Sequence, residues 1–395
     1  MTMKKKGGKP PKKNGSHAGG DGRGRAAAKK PEAPPPPRAL PPARALVPRS
    51  RAVARTALTL ITGGTGFLGA HLLEHLLATG VGPLRVVTTG APKWLTELGV
   101  EIIEGSLTAP EVCARAVAGA RRIFHLAGKV SRDPAEQRAM YEIHVEATRQ
   151  LLEAAARAGT ERVVLAGTSG TIAVTADGKA APDETHAEPT DIISRWPYYA
   201  SKAYQDRVAL GICAQANIEL VTLHPSLLLG PGDARLSSTE DVLRFLGRKI
   251  PTRPSGGLSF VDVRDCAVAF AAAMDRGKPG ERYLLGGHNM KFDEFFGRLE
   301  RISGVRAPWL RLPTGWVKPA ARWMERLYEA FDRAAPVDAQ SAEMGEYFWY
   351  TDSKKARAEL GFAPRDATET LADTVRYLRE RFMPGGGAFL SKAAT

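Results

Sequence analysis

Residues 61–69 read ITGGTGFLG, and what flanks them constrains the chain more than any other feature. The run ALTLIT before them is short, apolar and β-branched, the make-up of a strand buried on both faces. After them comes FLGAHLLEHLLATG, in which Leu68, Leu72, Leu73, Leu76 and Leu77 share a helical face and Gly80 stands at a C-terminal cap position. The glycines therefore join a strand to a helix. Such a turn points backbone N–H groups and the positive end of a helix at whatever occupies the crevice, which suits a pyrophosphate. Gly63 permits the tight turn, Gly66 a close approach of the phosphates, and Gly69 close packing of helix on strand.

The alternation continues along the chain. LRVVTT (84–89), VEIIEG (100–105), ARRIFHLAG (120–128) and RVVLAGTSG (162–170) predict the second to fifth strands, with helices between them that include Glu111–Val117 and a long one around Met140–Ala158. Strands alternating with helices specify an α/β chain with a parallel sheet covered on both faces, and right-handed crossovers make it a doubly wound, Rossmann-type fold.

Two further elements carry chemistry. In YYASK, Tyr198 and Lys202 are four apart and share a helical face, where an ammonium beside a phenol favours the phenolate and fits Tyr198 for proton exchange with a carbonyl or alcohol. GTSGT (167–171) closes the fifth strand, so Thr168 or Ser169 faces the crevice outside the carboxyl ends of the strands, where a hydroxyl can orient a substrate oxygen.

Composition bounds the rest. The net charge of +14 resides almost wholly in residues 1–56, which hold fifteen Lys and Arg against Asp21 and Glu32. With the run PEAPPPPRALPP and few large apolar groups, that segment predicts a disordered basic tail able to touch acidic surfaces. The near-neutral remainder argues against specific nucleic-acid binding. No apolar run reaches the eighteen residues of a membrane span. Cys113, Cys213 and Cys266 form no CxxC pair, so neither a disulfide framework nor a metal site is expected, and a cytoplasmic location follows. The expected organisation is a tail (1–56), a dinucleotide-binding Rossmann domain (57–225), a smaller substrate-binding portion (226–383, with about 258–290 returning to the first domain) and a flexible end (384–395).

In order along the chain, TGGTGFLG, HLAG (125–128), HVEATRQLLEAA (144–155), YYASK, HPSLLLGPGD (224–233), VDVRDCA (261–267), GERYLLGG (280–287) and TDSKKARAELGFAP (351–364) resemble the extended short-chain dehydrogenase/reductase superfamily. The likeness is to its dihydroflavonol-4-reductase-like and sugar-epimerase-like branch. It implies Tyr198 as acid/base, Lys202 as ribose ligand and modulator of the tyrosine, and Thr168 in the position of the catalytic serine or threonine. It also implies pyrophosphate at Gly63, Gly66, Gly69 and the amides of Phe67 and Leu68, with Ala127, Pro225 and Leu228 beside ribose and nicotinamide. Thr89, Ser106 and Leu107 fall at its adenosine end. Three positions depart from the pattern. Ser106 stands for an aspartate that binds adenine, Thr88 and Thr89 stand where a carboxylate marks NAD preference, and His144 stands for an asparagine of the proton relay. A missing carboxylate favours NADP over NAD, with Lys93 four residues on. His144 and His125 are expected as satisfied buried histidines, and Trp309, Trp316, Trp323 and Trp349 as core.

The leading functional expectation is an NAD(P)-dependent oxidoreductase acting on a ketone or secondary alcohol. A nucleotide-sugar epimerase or dehydratase that recycles its cofactor, and a non-catalytic dinucleotide-binding regulator, stand beside it. A homodimer is expected by analogy.

Overall fold

The computed structural model describes residues 56–311 and 339–383, with Pro319 and Trp323. The amino-terminal tail apart from Thr56, the 384–395 end and Trp316 lie outside the described residues.

The strands in chain order are β1 (Thr59–Thr62), β2 (Leu84–Thr88), β3 (Glu101–Glu104), β4 (Arg122–His125), β5 (Arg162–Ala166), β6 (Glu219–Pro225), β7 (Leu227–Leu229), β8 (Gly257–Asp262), β9 (Arg282–Leu285), β10 (His288–Lys291) and β11 (Phe348–Trp349). Seven form one parallel sheet in the order β3-β2-β1-β4-β5-β6-β9. The order reverses at β1, where Ile61 lies between Val86 and Phe124. All four residues of β1 are buried, as the apolar run requires of a strand covered on both faces.

Helices α1 (Phe67–Ala78) and α9 (Val263–Arg276) pack on one face, burying Leu72, Leu73 and Leu76 against Ala269, Phe270 and Ala273. The other face carries α3 (Pro110–Val117), α5 (Ala147–Ala158) and α7 (Pro197–Ala216), over Leu60, Ile123 and Val163. Local signals explain their ends. Pro110 and Pro197 open α3 and α7 at positions where a missing N–H costs nothing, and Gly159 (φ 75°) and Asn217 (φ 55°) close α5 and α7 in left-handed conformation. The expected helix at Met140–Ala158 is continuous from α4 (Gln137–Tyr141), but one widened π turn, Glu142–Glu146, joins α4 to α5 and carries His144.

Predicted strands overrun the observed ones by up to four residues at their carboxyl ends. After His125, for example, the Leu126 amide still reaches the Thr62 carbonyl (3.2 Å), but the Ala127 amide turns to the Thr62 hydroxyl (3.2 Å), which ends the ladder. The smaller sheet consists of β10, β8 and β11, with β7 also on β8. Beneath it Phe245, Phe260, Phe295, Phe296, Leu371 and Leu378 form a separate core. The stretch that rejoins the main sheet is α9 with β9, whereas β8 and β10, at either end of 258–290, belong to the smaller sheet. Trp309 and Trp323 differ from the core packing expected of them, at 85% and 69% exposed. Trp309 is tethered through its neighbour Leu310, whose carbonyl accepts from the Arg253 amide, and its ring is left outside. Trp349 does pack, stacked on Tyr199 with centroids 5.0 Å apart.

Candidate active site

In the parallel main sheet β1 to β6 share one carboxyl edge, which Gly63, Thr89, Ser106, Ala127 and Thr168 closely follow, Pro225 ends and Leu228 comes just after, while Tyr198 and Lys202 come from α7. Gly63 leaves β1 at φ 71°, and a Cβ there would stand 2.7 Å from the Ala127 amide nitrogen, so only glycine fits between the first and fourth strand ends. A Cβ on Gly69 would lie 2.1 Å from the Gly63 carbonyl oxygen, the close helix-to-loop packing expected of it. Gly66 is the N-cap of α1 with no side-chain cap, and the first turn holds no acidic residue. The amides of Phe67 and Leu68 thus face the crevice without helical acceptors. An anionic pyrophosphate fits this set of donors.

Thr89 and Ser106 follow β2 and β3. Thr88 spends its hydroxyl on the Gly90 carbonyl (2.7 Å), Ser106 pairs with the Thr108 hydroxyl (2.8 Å), and Leu107 is buried beneath. No carboxylate follows β2 before Glu97, which pairs with Lys93 at 3.7 Å on the surface. Ala127 follows β4, Pro225 ends β6 and Leu228 lies in β7. Ala127 and Pro225 thus stand at the carboxyl edge of the sheet, on the β4-to-β6 side of the switch point at β1.

Thr168 is extended at the end of β5, close enough to the Tyr198 phenol to act on its acidity. Burial pushes Tyr198 up to about 12, with Thr168 pulling the other way and nearby Asp206 adding to the rise. Burial thus outweighs the lowering of the tyrosine expected from the Tyr–Lys spacing. The reason is geometric, because Lys202 points its ammonium at the Ala166 carbonyl (2.5 Å) and at Gln205 Oε1. Burial lowers Lys202 to about 8, opposed by Asp206. Burial likewise raises Asp206 to about 7 against the pull of Lys202, Arg282 and Arg207.

Beyond Lys202 the sequence reading missed a buried polar chain. Gln205 Nε2 donates to Thr148 Oγ1 (2.9 Å), which meets His125 Nε2 (2.8 Å), and His125 Nδ1 meets Thr62 Oγ1 (2.7 Å). All four side chains are buried, and burial, with Lys202 nearby, lowers His125 to about 3. The signal was available in part: Gln205 lies one helical turn after Lys202, on its face. His144 makes two hydrogen bonds. Its Nε2 accepts from the Lys129 amide (3.0 Å), so Nδ1 carries the proton and donates to Ser201 Oγ (2.8 Å), which in turn donates to the Tyr198 carbonyl (2.8 Å). The His144 and Tyr198 rings meet edge to face at 5.8 Å. Burial, Lys202 and His125 hold His144 neutral, well below the ordinary histidine range.

The model of the NAD dependent epimerase/dehydratase family matches residues 59–286. A putative dihydroflavonol 4-reductase of Synechocystis sp. is 32% identical over 83% of this chain and 96% of its own. Sterol demethylase protein B of Methylococcus capsulatus is 28% identical over 82% and 99%. Among solved structures, gox2253 covers 83% of this chain and 99% of its own at 30% identity, with a TM-score of 0.71.

Proposed function

Given that the chain belongs to the NAD dependent epimerase/dehydratase family, of the extended short-chain dehydrogenase/reductase type, we propose that it is a reductase or dehydrogenase of a ketone or secondary alcohol. The observation that carries this reading is the convergence of Thr168, at the carboxyl end of β5, with the protonated Tyr198 phenol and the buried Lys202 ammonium of α7. A nicotinamide bound beside them would deliver hydride to, or take it from, the substrate carbon. Thr168 holds the substrate oxygen, and Tyr198 gives that oxygen its proton in reduction and takes it back in oxidation. Lys202 has one ammonium N–H unspent on Ala166 and Gln205, free for ribose hydroxyls. Its positive charge would ease loss of the tyrosine proton in oxidation. NADP is the proposed cofactor, on the ground that Thr88, Thr89 and Gly90 present no carboxylate to repel a 2′-phosphate.

The test is a titration of NADPH and NADH into the full chain, followed by a carbonyl-substrate screen. Net oxidation of added NADPH by a substrate, with Tyr198→Phe inactive but still binding, supports the reading. Tightly retained dinucleotide with no net turnover of added NADPH moves the assignment to an epimerase or dehydratase of the same family. Turnover unaffected by Tyr198→Phe refutes the mechanism.

A further inference from the structure

The ammonium of Lys202 sits in a buried setting where its protein acceptors are two neutral oxygens, the Ala166 carbonyl and the Gln205 amide. The direction of each bond beyond Gln205 is fixed. Thr62 Oγ1 already accepts from the Leu126 and Ala127 amides (both 3.2 Å), so its proton goes to His125 Nδ1. His125 then carries its proton on Nε2 and donates to Thr148 Oγ1, which also accepts from Gln205 Nε2. With its NH₂ committed to Thr148, Gln205 can turn only its oxygen to Lys202. A flipped amide would set N–H donors against the ammonium.

We propose that Gln205 is the positioning residue for Lys202. It aims the ammonium at the nicotinamide-side ribose and ties it, through Thr148 and His125, to Thr62 at the mouth of the glycine loop. The proposal rests on the dinucleotide reading above. A glutamine suits the task because an apolar side chain would leave a buried N–H unpaired, while a carboxylate would bind the charge needed by the ribose and the tyrosine. The other groups acting electrostatically with Lys202 are Asp206 on its own helix, His125 on β4, His144 in the π turn and His224 on β6. The three histidines are neutral near pH 7, so Asp206 is the group among them whose charge changes there.

The experiment compares dinucleotide affinity with that of fragments lacking the nicotinamide ribose, ADP and 2′,5′-ADP, in the full chain. Gln205→Leu should weaken NADPH or NADH about tenfold, the scale of one hydrogen bond to a charged group, and leave the fragments unchanged. Thr148→Val should weaken the dinucleotide by a smaller factor, about threefold, again sparing the fragments. In the wild type, dinucleotide affinity should fall above pH ~8 as Lys202 loses its proton. Gln205→Glu should move that fall to higher pH, a readout that stands even if the leucine variant fails to fold. Equal weakening of dinucleotide and fragments, or an unmoved pH dependence in Gln205→Glu, overturns the positioning role while leaving dinucleotide binding intact. Failure of the folded wild type to bind any dinucleotide overturns the underlying reading, and the positioning role with it.

Discussion

The glycine loop and the amino-terminal half of α7 face the same crevice but are built on opposite principles. On the function proposed above, the loop would bind through its main chain. It is defined by what is missing, since a Cβ on Gly63 or Gly69 would collide with backbone atoms that have no room to give. The helix would act through side chains that mean little singly, because Tyr198, Lys202 and Gln205 take their settings from Thr168, Thr148 and His125 on three other elements. A loop of the first kind fails when something is added, and a site of the second kind when something is removed.

Substitutions can separate the two. The largest effect is expected from Tyr198→Phe, which should lower turnover by about 10²–10⁴-fold while dinucleotide affinity stays within a factor of a few. Loss of binding along with turnover would mean that the two regions are not separable. Next comes Gly69→Ala, whose methyl would stand 2.1 Å from the Gly63 oxygen. It should destabilise the fold by roughly 3 kcal/mol in urea unfolding and abolish dinucleotide binding together, since loop shape and helix packing are one contact. A stable Gly69→Ala protein that binds normally would deny the loop its backbone role.

The loop was the more legible region because its constraints are local. Strand, glycines and leucine face lie within about twenty residues, and so do the register of β1 and the packing of α1. At α7 the Tyr–Lys spacing was visible, but the direction of the tyrosine's shift was not. Burial outweighs the neighbouring ammonium, and no spacing rule reports where that ammonium points. The Thr148 and His125 partners lie 57 and 80 positions from Gln205, so nothing short of the fold could assemble them. The exposed Trp309 teaches the same lesson in reverse, for a tryptophan late in the chain has no core until the packing supplies one.

Smaller effects sharpen the contrast. Thr89→Asp places a carboxylate after β2 and should weaken NADPH about tenfold with little change for NADH, without touching α7. A reversed preference in the wild type would refute the NADP proposal. The smallest and most distributed effect is the pH dependence of stability. His125 and His224, lowered to about 3, and His144, held well below its ordinary value, stay neutral in the fold and take up protons only on unfolding below about pH 6.5. Asp206, raised to about 7, holds a proton in the fold that the unfolded chain releases between about pH 4 and 7, the opposite sign. Three uptakes against one release leave a net of about two protons bound on unfolding near pH 5. Stability should therefore fall from pH 6.5 toward 5, and His125→Gln should flatten that slope in denaturant midpoints measured at both pH values.

The path of the chain between the two sheets has a consequence for divisibility. The chain passes from β6 in the main sheet to β7 in the smaller one across Ser226, returns through α9 and β9, and leaves again at β10. Helix α9, which covers α1 beneath the glycine loop, is thus encoded after much of the smaller sheet. A fragment ending at residue 225 would contain every glycine of the loop and the whole of α7, yet lack one wall of the core that keeps α1 in place. Loops of the smaller lobe can be exchanged one at a time between fixed anchor points, but the lobe cannot be lifted off as a piece.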